Sequence, residues 1–165
     1  MTERTGYQKL PNIENHKCFG CSPINPSGLQ MKFYAKGESV YTWVRVPEHL
    51  CGWNNLVHGG VISAIVDEIM GRTAMYNLKM LVMTKSMTID FLKPVFIGEE
   101  LKAEGKALEI KNDREALFEG CVYNEKGKLC ARSTGIFALF KPEALRKKGV
   151  VEEELINDLE KLVAG

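Results

Sequence analysis

The segment from Val61 to Leu78 constrains this chain more than any other. Val61, Ile62, Ile65, Val66, Ile69, Met70, Ala74 and Met75 recur at helical spacing yet cover much of the helix circumference. A helix of that kind has to be buried on most sides. The segments around it alternate apolar and polar residues with a period of two, the signature of strands with one buried face. Before it come LQMKFYA and SVYTWVRV, joined across Lys36-Gly37-Glu38. After it come MTKSMTIDFLKPV, ELKAEGKALEIKN, REALFEGCVYNE and KLCARSTGIFALF, separated by turn residues at Gly98, Asn112-Asp113 and Asn124 to Gly127. The expected order is two strands, one long helix and four strands. Only the sheet is large enough to cover the helix, so it must wrap around it.

The flanks look different. Residues 1–27 are polar and broken by Pro11, Gly20, Pro23 and Pro26, which predicts a loop or short helix lying across the domain as a cover. Residues 142–165 carry Val151, Leu155, Leu159, Leu162 and Val163 at helical spacing, which predicts one peripheral amphipathic helix. The division is therefore a cover segment (1–27), one central domain (28–141) and a C-terminal helix (142–165). A length of 165 residues supports one core without a metal or disulfide staple.

Charge and composition narrow the function. Basic and acidic residues leave a formal net charge of +1, and no basic stripe with interleaved aromatics marks a nucleic-acid surface. No stretch is apolar enough to span a membrane, and the N-terminal residues have no signal-peptide core, so the expectation is a cytoplasmic, reducing compartment. Neither a phosphate loop nor a dinucleotide fingerprint is present, and no cofactor is expected. Cys18 and Cys21 form a C-x-x-C, but no second pair follows to complete four ligands. They read as partly buried thiols packing a loop, with no metal expected.

Two features carry chemistry. Asn54-Asn55-Leu56-Val57-His58-Gly59-Gly60 runs straight into the long helix, so the free N–H groups of the first turn, with the positive end of the helix dipole, form an anion site. Asp67 sits among Ile65, Val66, Ile69 and Met70, a costly place for a carboxylate. It either pairs with Arg72 or serves a reaction. Glu68 stands four residues before Arg72, the favourable order for a helical ion pair.

His-Gly-Gly followed nine residues after the His by an acid on an apolar helix resembles the hotdog-fold acyl-CoA thioesterases of the phenylacetate-degradation type. CFGC-x-x-x-NPSGLQMKFY, VDEIMGR and TKSMTIDFLKPVFIGEEL add to the likeness, which covers about residues 18 to 140. The resemblance implies an α+β hotdog fold, an antiparallel sheet of about six strands around one central helix. It implies hydrolysis of an acyl-CoA to free acid and CoA. The carboxylate of Asp67 would act as nucleophile or general base, and the amide of Gly59 as oxyanion donor, supplied by opposite subunits of a homodimer or a dimer of dimers. It assigns His58 to holding the loop and the thioester oxygen, although a purely structural histidine fits the position as well. It assigns Thr84 to assisting the water, with Ser86 as a neighbour that a one-residue slip would substitute. Asn54, Asn55, Gly60 and Trp53 fall where substrate would bind. Lys85, Lys93, Arg114 and Arg132 are candidates for holding CoA. The chain departs from the family at Gly52, where many members carry Asn or Gln. That departure keeps a second reading open, a non-catalytic acyl-CoA binder. A dehydratase on the same fold fits less well, since His58 beside Gly-Gly does not resemble the His and acid of those sites.

Overall fold

The computed structural model describes residues 4–164. The central segment forms helix α1 (Gly59–Leu78), closed by Lys79 in the left-handed conformation, its N–H donating to Met75 O. Two residues set its start: His58 accepts from the Gly60 amide and so caps the first turn. Around α1 runs an antiparallel sheet of β1 (Gln8–Lys9), β2 (Phe33–Lys36), β3 (Ser39–Arg45), β4 (Leu81–Phe91), β5 (Glu100–Ile110), β6 (Glu115–Tyr123) and β7 (Leu129–Phe140). Their spatial order is β1-β2-β3-β5-β6-β7-β4. This is the hotdog arrangement, with seven strands where about six were expected; the seventh is the two-residue β1 inside the cover segment.

The helix lies close to the sheet because the strands beneath it lack side chains at the crossing. Gly105 on β5 and Gly120 on β6 are register partners. A Cβ on Gly105 would come within 2.7 Å of Ile69 O, and one on Gly120 within 3.2 Å of Val66 O. Ile65, Val66, Ile69 and Met70 are thereby fully enclosed. Each contributes about 1.5–3 kcal/mol through removal of its apolar surface from water.

Two local differences from the sequence reading have physical causes. The strand expected to begin at Leu29 begins at Phe33, because Gln30 adopts a left-handed conformation (φ 49) that breaks the extended run. Leu29 and Met31 instead donate to Phe19 O and Gly20 O, fastening the cover segment to the domain. The tail is two helices rather than one, α2 (Pro142–Lys148) and α3 (Glu153–Ala164), because Gly149 takes a left-handed φ of 61 and ends α2. Arg146 on α2 then holds α3 by bonding Glu153 (2.6 Å), Asn157 (2.9 Å) and Glu160 (2.9 Å). Among the described residues no helix is long and apolar enough to cross a membrane.

Candidate active site

Asp67 lies on the third turn of α1, half-buried, on the side of the helix that faces β4. Thr84 of β4 donates to its Oδ1 at 2.6 Å. A register shift between Thr84 and Ser86 in the pairing of β4 with β7 decides which hydroxyl reaches the acid. Thr84 pairs with the core residue Phe137 and so faces the helix, whereas Ser86 pairs with Ile136 on the other face. The bulge at Lys85 thus places the Thr84 hydroxyl, and not that of Ser86, beside the acid.

Behind this pair a cavity of about 280 Å³ opens between α1, the cover segment and α3. Val82, Met75 and Phe137 line one side and Leu155, Leu159 and Leu162 of α3 the other, while Asp67 and Thr84 also border it. The lining is largely apolar, with the Asp67 carboxylate at its edge.

At the other end of the visible chemistry, Gly60 N–H is committed to His58 Nδ1 at 3.0 Å. Accepting at Nδ1 leaves the neutral His58 with its proton on Nε2, a free donor. Val61 and Ile62 donate to His58 O. Among the described residues the Gly59 N–H donates to no partner and is the open amide of the helix end. Gly59 borders a second cavity with Phe91, Leu92, Lys93 and Pro94. Its φ is not positive, and a Cβ there would rest 3.7 Å from the Phe91 ring, an ordinary contact.

The remaining sequence candidates separate. Asn54 and Asn55 form a tight turn, Asn54 left-handed (φ 53) and Asn55 O accepting from Ile97 N–H, so both shape the loop. Trp53 is 87% exposed and lies outside the buried core. A Cβ at Gly52 would sit a tight 3.2 Å from His58 Cα, so a side chain there would need the loop to give by a few tenths of an ångström. Lys85 is bound to Glu115 and Arg132 lies 3.6 Å from Glu119, whereas Lys93 borders the Gly59 cavity.

Arg72 does not meet Glu68 as the helical spacing suggested. Its guanidinium donates to Pro11 O and stacks over Phe33 at 5.1 Å. Glu68 turns instead toward the cover segment, where its Oε1 is 3.3 Å from Cys18 Sγ. Burial, together with negative charge at Cys18, pushes the Glu68 carboxyl up to about 8. The hydrogen bond from the Cys21 thiol lowers Cys18 to about 5, and the same bond and burial raise Cys21. His16 joins the two cysteines, a grouping the sequence signalled only by the spacing His16-x-Cys18-x-x-Cys21.

With this geometry in hand, residues 54–131 match the family model described as the thioesterase superfamily. Over that stretch the chain is similar to the thioesterase superfamily. The matched stretch starts at the loop before α1, takes in Gly59, Asp67 and Thr84, and ends in β7. A comparison with curated proteins finds no match. Three solved structures illustrate the likeness of fold. A thioesterase superfamily protein superposes with a TM-score of 0.68 at 22% identity, over 73% of this chain and 59% of that one, so this chain spans well under two thirds of its length. The Escherichia coli PaaI protein of the phenylacetic acid degradation operon gives 0.62 at 18% identity, over 68% of this chain and 81% of that one. A hypothetical thioesterase of Streptococcus pneumoniae with coenzyme A gives 0.57 at 18% identity, over 62% and 78%.

Proposed function

We propose that this chain is a thioesterase that hydrolyses acyl-CoA at a site shared between two copies of it. The observation that carries the reading is the separation of its two chemical groups. Asp67 and Gly59 are eight residues apart on one straight helix, about 12 Å at 1.5 Å per residue. A single thioester carbonyl cannot touch both in one protomer. Two protomers can bring the Gly59 end of one α1 to the Asp67 of the other.

The edge strand supports that pairing. Among the described residues β4 pairs on one side only, with β7, and it leaves Met83, Met87 and Phe91 exposed, the last at 55%. A long open edge with apolar side chains is covered by a partner in a stable protein. Pairing β4 with its copy joins two sheets and closes the cleft beside Asp67.

In the proposed reaction the thioester oxygen receives the Gly59 N–H, and the helix dipole stabilises the negative charge that grows there. Asp67 takes a proton from water as the water oxygen attacks the carbonyl carbon. Collapse of the tetrahedral adduct breaks the C–S bond and gives free acid and CoA, the proton passing to the thiolate. As a nucleophile, Asp67 would form an acyl anhydride that water then opens. The hydrogen bond from Thr84 to Oδ1 leaves Oδ2 for either task. His58 Nε2–H is a second donor at the carbonyl. The acyl group occupies the cavity lined by Met75 and Leu159, and Lys93 meets a CoA phosphate.

The test is thiol release from a panel of aliphatic and aryl acyl-CoAs. Turnover of at least one class supports hydrolysis. Tight binding without thiol release supports the second reading, an acyl-CoA binder, which Gly52 favours because no polar side chain stands at that place to orient the carbonyl.

A further inference from the structure

The inner wall of the acyl cavity holds a cluster that hydrolysis does not use. The ligating atoms of His16, Cys18 and Cys21 all lie within 4.8 Å of one another. His16 Nε2 is buried and has no hydrogen-bond partner among the described residues. Buried imidazole nitrogens are ordinarily satisfied, so this one lacks a partner that belongs there. A fourth donor, Glu68 Oε1, stands 3.3 Å from Cys18 Sγ, and it fits only because residue 20 is glycine: a Cβ there would run into the Glu68 side chain.

The loop is shaped around the first sulfur. Gly20 N–H donates to Cys18 Sγ at 3.3 Å, and Ser22 N–H donates to Cys18 O at 3.3 Å. Ser22 Oγ accepts from Ile24 and Asn25 N–H, fixing the turn that follows Cys21. An amide aimed at a cysteine sulfur stabilises it as a thiolate, as groups supporting a metal ligand do.

We infer that His16, Cys18, Cys21 and Glu68 hold one divalent ion of the zinc class in a closed tetrahedral site. Zinc–sulfur bonds of about 2.3 Å and zinc–nitrogen bonds of about 2.0 Å separate tetrahedral donors by about 3.3 to 3.8 Å, so His16, Cys18 and Cys21 need only a small contraction, and the Glu68 side chain turns to bring its carboxylate into the fourth position. Two thiolates and an imidazole select zinc over magnesium or calcium. The charges balance: Arg72 faces Cys21 and Glu68, and its positive charge with those of the ion matches two thiolates and one carboxylate. On binding, the two cysteines enter as thiolates and their protons leave to solvent. Four protein donors leave no open position, so the ion is a staple. It ties residues 16–21 to α1 one residue beyond Asp67. No metal was expected from the sequence for want of a second cysteine pair, and the fold offers further donors from an upstream histidine and the central helix.

The full chain, produced in zinc-supplemented medium and purified under reductant, is expected to contain about one zinc per chain by elemental analysis. After chelation, cobalt(II) should restore stoichiometric binding with thiolate-to-cobalt charge-transfer bands and the intense visible bands of a tetrahedral ion. Cys21→Ser and His16→Gln should each abolish stoichiometric binding, and Glu68→Gln should weaken it. Should those variants fail to fold, the chelated and reloaded wild type gives the same reading. Sub-stoichiometric zinc with no cobalt charge-transfer bands would overturn the inference. So would a Cys18–Cys21 disulfide in reductant-purified protein, or full metal content in Cys18→Ser. None of these readouts depends on thioester hydrolysis.

Discussion

Thr84 Oγ1 donates to Asp67 Oδ1 across 2.6 Å, tying the central helix to the open edge strand at the mouth of the apolar cavity. If that carboxylate does the chemistry, Asp67→Asn keeps the shape and the Thr84 contact yet removes the proton acceptor. Turnover should fall at least about 10²-fold, with the circular dichroism spectrum unchanged. Thr84→Val should lose about tenfold in kcat, since a hydrogen bond to a charged group is worth about 1.5 kcal/mol at the low end, and Thr84→Ser should restore most of it. Equal loss in the Val and Ser variants would make Thr84 a packing residue.

Gly59→Ala tests the oxyanion amide. Because φ at Gly59 is not positive and its Cβ would only touch Phe91, the variant should fold as the wild type does. A reading in which glycine is needed for backbone freedom would predict unfolding. The new methyl stands where the thioester oxygen must approach the N–H, so kcat should drop about 10²- to 10³-fold with a smaller change in KM. Unchanged kcat would move the oxyanion site elsewhere.

Leu159 of α3 borders the cavity proposed to take the acyl group. Leu159→Ala enlarges it, and the ratio of kcat/KM for a longer over a shorter acyl-CoA should rise, by about 10-fold for each methylene newly accommodated. An unchanged ratio would place the acyl group outside this cavity.

The docking of α3 has a pH signature. The hydrogen bond from Arg146 holds the Glu160 carboxyl below its usual range. A depressed folded value stabilises the fold above the unfolded value, about 4.3 for Glu, and the contribution is lost as pH falls through the folded value. The Tm difference between wild type and Arg146→Ala should therefore be small and constant from neutral pH down to about 5, and shrink below about 4. A difference that persists in strong acid would assign the tether to packing instead.

Much of the fold was legible because α1 is apolar on nearly every side and its neighbours alternate strictly. Only one wrapping of sheet on helix buries both. Asp67 stood out for the same reason, as a charge where burial is costly. The partners of these residues were less legible. Thr84 and Ser86 differ only by a register that a bulge at Lys85 sets, and sequence spacing does not encode a bulge. Glu68 was read as the partner of Arg72 because four-residue spacing places them on one helix face. The pairing yields to contacts from the cover segment, Pro11 O for Arg72 and Cys18 for Glu68. Those contacts join residues 61 and 50 positions apart, beyond the reach of any local pattern.

The central claim is that one active site takes Asp67 from one protomer and Gly59 from another, and complementation tests it most directly. Asp67→Asn and Gly59→Ala would each be made alone and then co-expressed with different tags, and the doubly tagged oligomer isolated alongside the random mixture. Random pairing makes half the dimers mixed, and each mixed dimer has one site with both defects and one with neither. The mixture should recover about a quarter of wild-type thiol release, and the isolated mixed dimer about half, although each parent is nearly inactive. Mixed oligomers no more active than their parents would place both groups in the same protomer's site and contradict the account.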